Sequence, residues 1–107
     1  MDAKAERRKA RDRVASYHEA CLQDLVERLG RALDSYRAGE IDTFAMDESI
    51  HQYHRAAREL WKFCWTSGGA AQLEFVAEMV DRQALEGRAT DWWRRGTRQT
   101  LDRAPAL

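Results

Sequence analysis

Between Met46 and Trp65 the chain carries two interleaved stripes at helical spacing. Met46, Ile50, Tyr53, Ala57, Leu60 and Cys64 recur at steps of four and three, the period at which one helix face packs on another. Shifted by one position, Asp47, His51, His54, Arg58, Trp61 and Trp65 repeat the same steps. A helix with one apolar seam needs one partner. The second stripe holds an acid, two imidazoles, a guanidinium and two indoles, a mixture unlike the solvent face of an ordinary surface helix. It predicts a contact surface, because tryptophan and arginine are enriched where proteins bind one another.

The rest of the chain admits helices only. β-branched residues are sparse and never alternate over a strand length, and Pro105 is the sole proline. Ala3 to about Tyr36 reads as helix 1, with Val14, His18, Cys21, Leu22, Leu25, Val26, Leu29, Leu33 and Tyr36 on its apolar side. Gly39 is its stop, since glycine accepts the left-handed conformation that ends helices. Asp42 or Thr43 then caps helix 2, which runs to about Trp65. Ser67 caps helix 3, about Gly69 to Leu85, with Leu73, Val76, Ala77, Val80 and Ala84 as its core face. Thr90 or Asp91 caps a short helix 4, about Asp91 to Asp102, weakened by Gly96.

The fold class is therefore all-α. A long antiparallel hairpin is expected, with a third helix completing a small bundle and a short fourth helix. The five-residue connection sets a register in which facing positions of helices 1 and 2 sum to about 80. That register puts Leu29 opposite His51, Val26 opposite His54, and His18 level with Cys64 and Trp61. Helix 1 outruns helix 2 by ten or so residues, about 15 Å. The overhang needs helix 3, a partner, a ligand or solvent to cover it.

A chain of 107 residues makes one domain, residues 1–107, with 44% hydrophobic and 34% charged residues, enough for a modest core. Net charge is zero, so no global field attracts nucleic acid or membrane. The charge is unevenly spread. Residues 1–13, the basic overhang, carry six bases against three acids; residues 40–81 carry eight acids against three bases; residues 82–107 carry six arginines against three acids. Such opposed patches favour self-association or tails folded over the centre. The basic and aromatic segment 88–107 is expected to be either docked or mobile. No apolar run approaches the length of a membrane span, and the charged N-terminus is unlike an export signal. An intracellular, cytoplasmic protein follows as the expectation, with Cys21 and Cys64 as reduced, packed thiols.

Several constellations carry chemistry. Glu48 and His51 form an E-x-x-H, the ligand spacing of carboxylate-bridged di-metal bundles. With His54 and Glu78 it makes a candidate site for iron, manganese or zinc, set against a chance match in a chain with nine glutamates. His18, Cys21, His51 and His54 also make a nominal zinc set, but the register separates the two pairs by roughly 8–12 Å along the axis. His18 beside Cys64 is a formal nucleophile and base pair, weighed against a buried histidine next to a packed thiol. Trp61, Phe63 and Trp65 crowd the end of helix 2, where helix 3 or a partner must cover them. Glu74, Glu78 and Asp81 form an acidic stripe that could receive Trp92, Trp93, Arg94, Arg95 and Arg98 of helix 4. Arg7, Arg8, Lys9 and Arg11, with Arg94 and Arg95, are the candidate phosphate contacts.

The residues favour a small non-enzymatic interaction or regulatory module, adaptor or antitoxin-like. Its face is Asp47, His51, His54, Arg58, Trp61 and Trp65, and its partner is a second copy or another protein. A metal-binding bundle and a nucleic-acid-binding regulator are the alternatives.

Overall fold

The computed structural model describes residues 2–65 and 70–97. Its elements are α1 (Ala3–Arg37), α2 (Thr43–Trp65), α3 (Ala70–Glu86) and α4 (Trp92–Arg95), and no strand occurs among the described residues. Local chemistry sets most of the boundaries. The Asp2 carboxylate accepts from the Lys4 N–H and starts α1. At its far end the Glu40 N–H donates to the Ser35 carbonyl and the Gly39 N–H to the Tyr36 carbonyl. This pair of bonds is a Schellman motif, and it requires the positive φ of 80° that Gly39 adopts. The Asp42 carboxylate then accepts from the Ala45 N–H at 2.8 Å and caps α2. Ser67, the expected cap of α3, lies outside the described residues, as does the expected helix 4 beyond Thr97. The described α4 is a single turn, capped by Asp91 and ended at Gly96.

α1 and α2 form the expected antiparallel hairpin. Two side-chain bonds fix its register. The Tyr36 hydroxyl lies 3.4 Å from Thr43 Oγ1 at the turn, and the Trp65 indole N–H donates to His18 Nδ1 at 2.9 Å near the other end. Both pairs sum to within a few residues of 80. The core is wholly apolar among the described residues. Val14 and Leu25 of α1, Ala56, Leu60 and Cys64 of α2, Val76, Ala77 and Val80 of α3, and Trp92 of α4 are buried together.

α3 packs chiefly on α1, where it covers part of the overhang. Ala10 and Val14 are buried there, and the Arg13 guanidinium meets the Asp81 carboxylate at 2.6 Å. The expected core face of α3 holds at Val76, Ala77 and Val80 but not at Ala84. Ala84, Leu85 and Glu86 are all exposed, because the last turn runs past the elements beneath it.

The position of α4 corrects the sequence expectation. It lies against α2 and α1 and makes no close backbone approach to α3. The acidic residues meant to receive it are engaged elsewhere, Asp81 with Arg13 and Glu78 with Arg82 on its own helix. Two α2 side chains catch its C-terminal carbonyls instead. Gln52 donates to the Trp93 carbonyl at 3.0 Å and Arg55 to the Gly96 carbonyl at 2.7 Å. The Trp93 carbonyl also accepts from the Gly96 N–H, whereas the Gly96 carbonyl lies past the helix end, where acceptors have no intrahelical partner. Gly96 is buried against α2, and a Cβ there would stand 2.5 Å from the Gln52 carbonyl oxygen. The residue that weakens helix 4 in sequence is the one that lets it dock.

Candidate interaction surface

α2 meets its neighbours on two sides. One side packs on α1 through Tyr53, Leu60 and Cys64, while Gln52, Arg55 and Phe63 turn toward α4. At 100° per residue, the remaining arc of the helix displays Phe44, Asp47, Ile50, His51, His54, Arg58 and Trp61. No described element covers it. Phe44 is 86% exposed, Trp61 51% and Ile50 46%, and Asp47, His51, His54 and Arg58 are exposed as well. Ile50 belongs by period to the α1 seam, yet it sits at the edge of the open arc.

Within this arc, Asp47 Oδ2 lies 3.3 Å from His51 Nε2, one turn away, as the i,i+4 spacing leads one to expect. Trp65 departs from the rest of the stripe. It is half-buried, and its indole is held by His18 with ring centroids 6.1 Å apart. The rest of the aromatic crowd is similarly absorbed. Phe63 packs on Trp92 at 5.3 Å and edge-on to Tyr17 at 6.0 Å, leaving Trp61 as the indole of helix 2 still facing water. Phe44 was missed in the sequence, although it stands three residues before Asp47 and continues the stripe's own spacing.

The thiols lie behind the hairpin, in the cluster of Tyr17, Cys21, Cys64 and Trp92. The Trp92 indole donates to the Tyr17 hydroxyl at 2.8 Å. Burial pushes Cys64 up to about 12, and the neighbouring Cys21 adds to the shift. Burial likewise raises Cys21 and carries Tyr17 to about 12. His18, which the register sets level with Cys64, spends Nδ1 on Trp65, and burial holds it below its ordinary 6.5. A protonated thiol beside an occupied imidazole is the reverse of an activated nucleophile. The cluster opens onto a cleft of about 470 Å³, lined by Tyr17, Cys21, Asp24, Arg28, Thr90 and Trp92. Arg28 is tied there to Asp24 at 3.4 Å.

The proposed metal ligands do not converge. Glu48 turns toward α4, where Arg55 Nη2 meets it at 2.9 Å, and Glu78 stands on α3 beside Arg82. Among the described residues no three His, Cys, Asp or Glu side chains are grouped to hold a metal ion. The basic sets are also apart. Arg7, Arg8, Lys9 and Arg11 are exposed on the first turns of α1, whereas α4 carries Arg94 and Arg95 against the middle of α2. Arg95 covers the Trp92 ring at 5.5 Å, and Lys9 lies 3.9 Å from Glu6. No described helix is long and apolar enough to cross a membrane.

No family model, curated protein or solved structure matches this chain. The open arc of α2 is the feature left for a function to use.

Proposed function

We propose that this chain is a small intracellular, non-enzymatic interaction or regulatory module that docks another polypeptide on the open arc of α2. One observation carries the reading. Phe44, Ile50 and Trp61 are exposed along the one arc of α2 that no described element packs against. Single exposed hydrophobic residues are common on any surface. Three large ones along five turns of one helix, interleaved with two imidazoles and a charge of each sign, form a composite face with the residue types of binding hot spots.

Native mass spectrometry of freshly purified, untagged protein tests the reading. The expected spectrum contains a dimer or a 1:1 complex with a host protein, and the complex disappears in Trp61→Ala and Phe44→Ala while the helical circular dichroism is retained. A protein that stays a bare monomer overturns it. A partner lost only because the variants unfold overturns the assignment to this face.

A further inference from the structure

We infer that the polypeptide docked on this arc is a second copy of the chain, with the two α2 helices running antiparallel about a two-fold axis. The inference rests on the docking role just proposed and names its partner. Its basis is a register. Phe44, Asp47, His51, His54, Arg58 and Trp61 follow one another at steps of three, four, three, four and three. This is the spacing of the two core positions of a coiled-coil heptad.

In an antiparallel pair, the first core position of one helix lies level with the second of the other. The stripe then matches itself from end to end. Phe44 lies level with Trp61 of the second copy, Asp47 with Arg58, and His51 with His54, and the two-fold axis repeats each match. Both ends are closed by an aromatic pair, the next layers hold opposite charges, and four imidazoles meet at the axis. The six layers span about 26 Å of helix.

Other arrangements lose these matches. A parallel pair would set Asp47 beside Asp47 and Arg58 beside Arg58, and like charges at an interface select against it. Sliding the antiparallel pair by one heptad in either direction strands Phe44 or Trp61 and unpairs the charges. The surroundings leave room for the match. Gln52 is turned roughly 130° and Arg55 roughly 70° from the centre of the stripe, and both side chains are committed to α4 on that flank. Asp47 is available from both directions, because its own His51 lies 3.3 Å away and leaves the carboxylate about two-thirds exposed. A stripe that is acidic toward its N-terminus and basic toward its C-terminus is complementary only to its own reverse.

Sedimentation equilibrium on the full chain tests the pairing, up to about 200 µM so that a weak dimer is seen. The wild type is expected to dimerise reversibly. Asp47→Arg and Arg58→Asp are each expected to weaken the dimer at least about tenfold by setting like charges level, and the double variant Asp47→Arg/Arg58→Asp is expected to recover to within about threefold. A parallel dimer would not respond in this way, since a single reversal there exchanges one like pair for another. Wild type that stays monomeric at the highest concentration overturns the pairing, as does a dimer indifferent to both single reversals. A heteromeric complex lost in Trp61→Ala, with no self-association, overturns the pairing and leaves the docking role standing. Monomer alone, with no complex, overturns both.

Discussion

The two flanks of α2 are built from similar material and end differently. Toward α4, Gln52, Arg55, Ala56 and Phe63 form a closed surface in which the approaching backbone is caught by hydrogen bonds and an aromatic pair. On the opposite arc, His51, His54, Arg58 and Trp61 carry comparable polar and aromatic groups, yet no described element reaches them. The difference is one of supply. The segment after α3 returns a helix end to the first flank, and no described segment returns to the second. Composition alone therefore does not say which side of a helix is interior. The path of the chain decides it.

Substitutions along α2 sharpen the contrast. Leu60 is fully buried beneath both flanks. Leu60→Ala is expected to cost about 3 kcal/mol and to lower the melting temperature by at least about 10 °C in a calorimetric scan. Gly96→Ala attacks the closed flank. On propensity alone the change should stabilise. Here the added Cβ meets the Gln52 carbonyl, so a loss of about 1–3 kcal/mol is expected, with red-shifted Trp92 emission and faster maleimide labelling of Cys21. A variant more stable than wild type would show that α4 does not dock as described.

Trp65→Phe removes the indole donor to His18 and is expected to cost about 1 kcal/mol in urea unfolding. The same site has a pH signature. Burial holds His18 below its ordinary 6.5, so over that interval the folded chain binds fewer protons than the unfolded one. This contribution to stability is complete above pH 6.5 and is lost as pH falls through the folded His18 value. At the alkaline end the signs reverse. Tyr17 and Cys64, both raised to about 12, contribute fully below their ordinary 10.0 and 9.0 and lose that contribution as pH climbs toward 12. Urea midpoints measured from pH 5 to pH 10.5 should therefore fall at both ends. The smallest effect on folding is expected on the open flank. Trp61→Ala and Phe44→Ala should change stability by no more than about 0.5 kcal/mol in the same urea assay, although both remove association. A large destabilisation by either would mean the arc is covered after all.

Much of the architecture was legible because its signals are local. The seam of α2, the Gly39 stop, and the Asp42 and Asp91 caps are each decided by a few neighbouring residues and are found where their chemistry puts them. The hairpin register followed from the length of one turn. What sequence could not place depends on contacts between distant segments. Trp92 finds Tyr17 across 75 positions, and Gln52 and Arg55 find the end of α4 across 41. Nothing near Asp81 announces that Arg13 will claim it ahead of helix 4. The candidate face was partly legible. Asp47 through Trp61 stand where the stripe put them, in solvent. Trp65 shares their spacing but lies level with His18, so the fold withdraws it. Phe44 stands outside the stretch that opens at the first core residue, Met46, although it continues the stripe's spacing.

The docking of α4 also bears on the order of assembly. A single helical turn is too short to persist alone, since the first hydrogen-bonded turn costs more order than it returns. Its acceptors become useful only when Gln52 and Arg55 are presented on a formed α2, and the Trp92 indole finds its hydroxyl only when α1 is alongside. The hairpin can close early through local contacts, whereas the Trp92–Tyr17 bond spans most of the chain and belongs to the last stage. In stopped-flow refolding, helical signal should therefore appear before the shift in indole emission, and the lag between them times the latching of α4 onto α1.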